Sequence, residues 1–203
     1  MWRCQNCETR WFVTSNRQWA YRIGPEFTPL VAHWNETALE LTLPCLTAAT
    51  GIGGVRNDWE ETVILPCAVT TKNGERFEKA ILRVTKTPPY RWYPVEKVRW
   101  AWEIAELEDS RFALPLQVRR ASHEKREEAM GFAPTDVRSN DGRSFTLGNA
   151  SDFFEHEGVT GPHIQLAPRP RKRNMVPFAE TQAWFWVDWS DELVEKITTS
   201  AEM

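Results

Sequence analysis

Eleven tryptophans among 203 residues are the feature that most limits what this chain can fold into. Leu, Ile, Val and Phe together number only 44, just above the level at which chains remain disordered. Tryptophan side chains must therefore supply much of the buried apolar surface. They occur in almost every segment with strand-like patterning. We therefore predict a mainly β, α+β fold built from antiparallel hairpins as a sheet or sandwich, with one or two short helices.

Turn and cap residues place several elements of this fold. Asn73-Gly74 between two β-branched runs predicts a hairpin over 62–85, with a type I′ turn in which both central residues have positive φ. Residues 10–23 predict a second hairpin.

Ser190-Asp191-Glu192 offers a cap and acidic first-turn residues to a C-terminal helix. Frequent Gly and Pro predict a loop-rich excursion at about 131–180. We expect one domain spanning residues 1–203.

The segment Trp184-Phe185-Trp186-Val187 carries large side chains on both faces of a predicted strand. Alternation places Trp184 and Trp186 on one face and Phe185 and Val187 on the other. A single-domain core readily buries only one face of an outer antiparallel sheet. The sequence therefore predicts that Trp184 and Trp186 belong to an interface with another protein subunit, although burial in the core is the simpler use of such residues.

The four cysteines include one pair with metal-ligand spacing. Cys4-Gln5-Asn6-Cys7, followed by Trp11, resembles one knuckle of a zinc ribbon, but the second C-x-x-C of a ribbon is missing from the sequence. Tetrahedral zinc needs four donors, so the fold would have to supply the others. Two interpretations stay open: ordinary free thiols, or a zinc ion held by Cys4 and Cys7 with ligands drawn from Cys45, Cys67 and His33.

Charge is nearly balanced along the chain, with one concentrated basic tract. Lys and Arg total 25 and Asp and Glu 28, so no bulk field attracts nucleic acid or an acidic membrane surface. The tract Arg169-Pro170-Arg171-Lys172-Arg173 is kept extended by its prolines. Arg169, Arg171, Lys172 and Arg173 could grip the phosphates of DNA or RNA. Alternatively, the tract is a solvated loop or pairs with the acidic segment 103–109.

The sequence contains no motif that identifies a catalytic reaction. His156 and His163 flank a turn with acidic neighbours, which would suit a metal-dependent hydrolase or nuclease. A solvated acidic loop explains the same residues, and their spacing matches no HExxH motif. The sequence also contains neither a G-x-S-x-G nucleophile motif nor a phosphate-binding loop followed by G-K-[ST]. We therefore assign no catalytic residues.

These observations favour a non-enzymatic subunit or adaptor of a larger protein or nucleoprotein assembly, for example one of phage or mobile-element origin. A nucleic-acid-binding protein with a basic arm and a zinc site is the alternative, and a metal-dependent hydrolase or nuclease is the third. The chain opens on polar residues without a long apolar run, so we expect no cleaved signal and no membrane span. The expected location is the cytoplasm, or a virion if a virus encodes the chain.

The zinc interpretation makes a direct prediction. The protein purified without chelators should hold one zinc ion, and Cys4→Ser should release it and loosen the 10–23 hairpin, because metal binding is coupled to folding. Atomic absorption measures the metal. Less than about a tenth of an equivalent in the unsubstituted protein would support free thiols instead.

Overall fold

The computed structural model describes residues 2–3, 10–13, 20–23, 53–57, 62–85, 93–125, 127–128, 132–149, 151–177 and 179–188. These residues are mainly β-structure with one α-helix, as the sequence predicts. The predicted C-terminal helix, from Ser190 to Ile197, lies outside them. The strands are β1 (Trp2–Arg3), β2 (Arg10–Val13), β3 (Ala20–Ile23), β4 (Val55–Asn57), β5 (Thr62–Thr71), β6 (Arg76–Thr85), β7 (Val98–Trp100), β8 (Ile104–Glu108), β9 (Thr135–Ser139), β10 (Ser144–Leu147), β11 (Glu155–His156), β12 (Val159–Thr160), β13 (Ile164–Leu166) and β14 (Ala183–Asp188), and the helix is α1 (Leu116–Glu124).

Both predicted hairpins form, but the turn of the longer one differs from the prediction. β2 pairs with β3, and β5 pairs with β6, all antiparallel. In the β5–β6 turn, the Gly74 amide donates to the Thr71 carbonyl at 2.9 Å. Gly74 has positive φ, at 86°, whereas Asn73 does not. Asn73 instead uses its side-chain oxygen to accept the Glu75 amide at 3.2 Å, which stabilises a turn that needs only one left-handed residue.

The main sheet is mixed rather than wholly antiparallel. Its order is β4-β5-β6-β14-β7, with β8 also paired to β5. The pairs of β5 with β4, β6 and β8 are antiparallel, as predicted. β14, however, lies parallel to both β6 and β7. A strand that enters between two others from a distant part of the sequence can take either direction, so hairpin signals alone did not predict this pairing.

Pro66 occupies a position in β5 where a proline is tolerated. On one side β5 pairs with β6 along its length. On the other side β4 pairs with β5 only as far as Ile64, and β8 begins to pair at Ala68. Pro66 therefore falls in the gap between two partner strands, and a register shift follows between Cys67 and Val69. This agrees with the expectation that a proline within a strand marks an unpaired edge or a bulge.

The two faces of β14 carry the side chains that alternation predicts. Phe185 and Val187 are fully buried in the core of the main sheet, together with Leu65 and other residues of β5 and β6. On the opposite face Trp186 is also fully buried, in a cluster with Val98 and Trp100. Trp184 is only partly buried. Trp186 thus packs within this chain. Of the two tryptophans predicted to lie at an interface, only Trp184 is partly exposed.

The predicted excursion at 131–180 contains ordered β-structure. β10, β9 and β13 form a three-stranded antiparallel sheet, and β11 pairs with β12. Val137, Phe145 and Ile164 on one face of the sheet share an apolar core with Leu114 and Val118, the latter on α1. This small sheet and α1 therefore form a second apolar layer beside the main sheet.

Residues 110–114 connect this unit to the main sheet. The Leu114 amide donates to the Asp152 carbonyl at 2.9 Å, and the Phe154 amide donates to the Phe112 carbonyl at 2.8 Å. Gly161 packs against the same segment. A Cβ atom at Gly161 would lie 2.2 Å from the Phe112 carbonyl oxygen, so only glycine permits this approach.

Complete burial of Trp186 predicts a large loss of stability on truncation. Trp186→Ala should lower the free energy of unfolding by about 3 to 5 kcal/mol, because it removes a buried indole and leaves a cavity. Trp184→Ala should cost less, since part of that side chain is already exposed. Urea denaturation monitored by circular dichroism measures both. Equal losses for the two variants would contradict this difference in packing.

Candidate interaction surface and buried ion pairs

The basic tract lies in an exposed loop that is fixed at both ends. We call residues 166–175 the basic loop. At its start, the Ala167 amide donates to the Asp136 carbonyl at 3.0 Å. At its end, the Thr146 amide donates to the Asn174 carbonyl at 2.7 Å, and the Val176 amide donates to the Thr146 carbonyl at 3.2 Å. Since Val176 is buried in the core of the small sheet, the chain returns to the fold directly after the loop.

Arg173 is the electrostatic anchor of the basic loop. Its guanidinium donates two hydrogen bonds to the Glu128 carboxylate, at 2.8 and 2.9 Å, and lies 3.4 Å from the Asp136 carboxylate. The hydrogen bonds from Arg173 lower the pKa of Glu128 to about 2. The sequence suggested acidic residues at 103–109 as partners of the tract. The structure supplies Glu128 and Asp136 instead, which lie beside the loop in the fold.

The other cations of the basic loop face solvent. The Arg169 side chain is 70% exposed and lies 3.8 Å from Glu128. Arg171 and Lys172 are exposed and make no ion pair with any residue that the structure describes. The loop also carries the only large apolar side chains that are exposed in the described part of the chain, Leu166 at 46% and Met175 at 48%. Exposed cations are thus flanked on both sides by exposed apolar groups.

Three of the four cysteines proposed as metal ligands, Cys4, Cys7 and Cys45, lie outside the described residues, as does His33. Cys67 is fully buried in β5, and its thiol donates to the Ala80 carbonyl at 3.6 Å. Burial raises the pKa of this thiol to about 12. Zinc binds the thiolate, so the surroundings of Cys67 favour the protonated form that does not bind metal. The zinc interpretation stays a hypothesis that depends mainly on the other cysteines.

His156 and His163 occupy different environments in the small unit. His156 is partly buried, and its ring meets the Phe145 ring edge-on at 5.7 Å between centroids. His163 is exposed, and its carbonyl accepts the Asn140 amide at 3.0 Å. Within the ranges that the structure covers, no group of three or more His, Cys, Asp or Glu side chains could hold a metal ion. The hydrolase interpretation remains a hypothesis without assigned ligands.

A buried ionic cluster around α1 was not foreseen from the sequence. The His123 Nε2 atom lies 3.1 Å from an Asp152 carboxylate oxygen, and both side chains are largely buried. Burial opposes the charge on Asp152, but the His123 hydrogen bond and the positive charge of Arg119 outweigh burial and lower the pKa of Asp152. Asp152 lies 29 residues from His123 in the sequence, so neither spacing nor composition could have revealed the cluster.

The geometry of this cluster indicates a structural role. Fully buried Arg119 donates from its Nε to the Leu114 carbonyl at 3.0 Å and from Nη2 to the Gly53 carbonyl. The hydroxyl of Ser122 donates to a backbone carbonyl rather than to His123, as does that of Ser151. Neither serine is therefore positioned as a nucleophile activated by the histidine. The cluster instead joins α1 to the segment before β4 and to the loop before β11.

Comparisons with models of protein families, with curated proteins and with solved structures find no match for this chain. In the part of the chain that the structure describes, no helix has the length and hydrophobicity needed to span a lipid bilayer.

The lowered pKa of Asp152 predicts a pH-dependent contribution to stability. Asp152→Asn should cost about 3 kcal/mol at neutral pH, because it removes one partner of a buried pair. A carboxyl group with a depressed native pKa stabilises the fold above its unfolded pKa, near about 3.9, and loses that contribution as the pH falls through the native value. The unsubstituted protein and Asp152→Asn should therefore differ less in free energy of unfolding below pH ~4. Urea denaturation measures this free energy at each pH. Glu106→Gln, at an exposed position on β8, serves as the control and should show no such narrowing.

Proposed function

We propose that this protein is a non-enzymatic subunit or adaptor of a larger protein or nucleoprotein assembly, and that the basic loop is its principal contact surface. One observation supports this above all: in the described part of the chain, the exposed large apolar side chains, Leu166 and Met175, flank the exposed cations of that loop. Exposed apolar side chains next to arginine suit a contact with another molecule, because interfaces combine apolar contacts with polar ones.

The fixed ends of the loop also favour binding. Ordering a flexible segment on association costs free energy, which a segment already held in place does not lose. The basic loop is held by backbone hydrogen bonds at 167, 174 and 176 and by the paired charges of Arg173. The backbone that carries its exposed side chains is therefore already ordered before any partner binds.

Trp184 supplies a second candidate contact. It remains partly exposed, beside the Tyr93 ring at 5.5 Å between centroids and below the Lys97 ammonium group. An indole with one packed side and one open side suits an interface, where tryptophan contributes strongly to binding energy. Trp186 contributes to such an interface only indirectly, by supporting the strand on which Trp184 lies.

Nucleic-acid binding is the second candidate function, and the exposure of Arg169, Arg171 and Lys172 favours it. Three cations on an extended loop can neutralise phosphates even though the whole chain carries a net charge of -3. The two functions are compatible in a nucleoprotein assembly. Such a subunit would act in the cytoplasm, or in a virion for a protein of phage or mobile-element origin.

A charge-reversal experiment tests the role of the basic loop. Arg171→Glu with Lys172→Glu should lower the recovery of partner chains in a native pull-down at least about ten-fold, corresponding to about 1.4 kcal/mol of binding energy. Quantitative mass spectrometry measures the recovery, and thermal unfolding checks that the variant is folded. The matched control is Lys72→Glu with Arg111→Glu, which changes the net charge equally at two exposed positions outside the loop. Equal recovery with both variants would remove the loop from the interface.

A further inference from the structure

We infer that Arg138, on the outer face of the small sheet, extends the basic loop into a binding surface for the phosphodiester backbone of a nucleic acid. This inference rests on the proposal that the basic loop is a contact surface. It adds a residue that lies about 30 positions before the loop in sequence and that no motif connects with it.

Strand alternation determines where Arg138 points. Val137 is buried in the core between the small sheet and α1, so its neighbours in β9, Asp136 and Arg138, point to the opposite face. The Thr146 hydroxyl donates to the Asp136 carboxylate at 2.6 Å. The side chains of Thr146 and Asp136 therefore lie on the same outer face. Arg138 is exposed there, directly opposite Ser144 on β10 and Gln165 on β13.

The end of the basic loop runs along β10 at the edge of the small sheet, and from there the Arg173 side chain reaches the same face. Arg173 reaches the carboxylate of Asp136, only two residues along β9 from Arg138. Two residues in a strand correspond to a separation of about 7 Å. The loop and the row formed by half-buried Ser144 and exposed Arg138 and Gln165 are therefore neighbours on one surface, although different parts of the sequence supply them.

The charges on this surface leave an excess of available cations. Glu128 is neutralised by Arg173, and Asp136 lies against the same guanidinium. Arg138, Arg171 and Lys172 form no ion pair with any carboxylate in the described ranges, and Arg169 is mostly exposed. Four cations thus extend from β9 along the loop.

This distribution suits a polymer with regularly repeated negative charge. Cations spread over a strand and a loop can each neutralise a different phosphate and release its counterions. The neighbouring Ser144 and Gln165 side chains can hydrogen-bond to phosphate or sugar oxygens, the contacts that position a nucleic acid without reading its sequence. A compact acidic group on a protein would engage fewer of these cations at once. We therefore expect sequence-independent binding.

Fluorescence anisotropy with labelled oligonucleotides of about 20 nucleotides, single-stranded and duplex, tests the inference over a series of salt concentrations. Arg138→Ala should weaken binding and lower the slope of log K against log salt by about 0.7 for a single strand or about 0.9 for a duplex. Arg171→Ala with Lys172→Ala should lower the slope by about twice as much. Arg138→Lys should retain the slope of the unsubstituted protein, and Arg111→Ala, an exposed arginine elsewhere, serves as the control.

The outcomes separate this inference from the proposed function. If Arg138→Ala binds like the unsubstituted protein while the loop variant is weakened, the loop acts alone and the role of Arg138 is wrong. If neither oligonucleotide binds, or if polyglutamate of equal charge competes as well as the oligonucleotide, the phosphodiester assignment is wrong. In either case the pull-down with the Arg171→Glu and Lys172→Glu variant still decides whether the basic loop binds a protein partner. A stronger effect on one oligonucleotide form identifies that form as the ligand.

Discussion

The insertion of β14 between β6 and β7 is the constraint on which the rest of the main sheet depends. Its six residues are paired in parallel with β6 and extend the sheet to β7. Other parts of the fold pack on both faces of β14, as is usual for strands in parallel pairing. Phe185 and Val187 fill the core on one side, and Trp186 packs with Trp100 and the ring of Tyr93 on the other. Trp100 and Trp186 show how tryptophan suits this position, since large flat side chains cover a sheet face with few residues.

A second layer connects this sheet with the functional surface. Residues 112–114 pair with 152–154, and α1 packs between the main sheet and the small sheet. The buried guanidinium of Arg119 binds the Gly53 and Leu114 carbonyls, and Asp152 lies against His123 and within the field of Arg119. A buried charge is tolerated only when it is paired and hydrogen-bonded, and these contacts meet that condition. The cluster therefore contributes to holding α1, which packs on the small sheet, against the segment before β4.

The cations of the basic loop have two different roles in the fold. Arg173 binds Glu128 and Asp136 and is therefore structural, whereas Arg171 and Lys172 face solvent. An arginine with two planar hydrogen bonds to a carboxylate is a strong anchor because its donors match the acceptor geometry. One basic tract thus contains both the side chain that fixes the loop to the fold and the side chains that are available for contacts. Arg138 joins the exposed group only because β9 turns it outward beside the loop.

Local sequence signals determined the elements whose interactions are short in range. The hairpins 10–23 and 62–85 and the alternation around Trp186 follow from turn residues or from the period of two in a strand. The exposed basic tract was also visible, because adjacent prolines and cations keep a segment extended. Only the tertiary structure decided the parallel insertion of β14, the pairing of His123 with Asp152, the anchoring role of Arg173 and the position of Arg138. Each of these depends on contacts between residues that are distant in sequence, and such contacts are set by the packing of whole elements, for which neighbouring residues carry no signal.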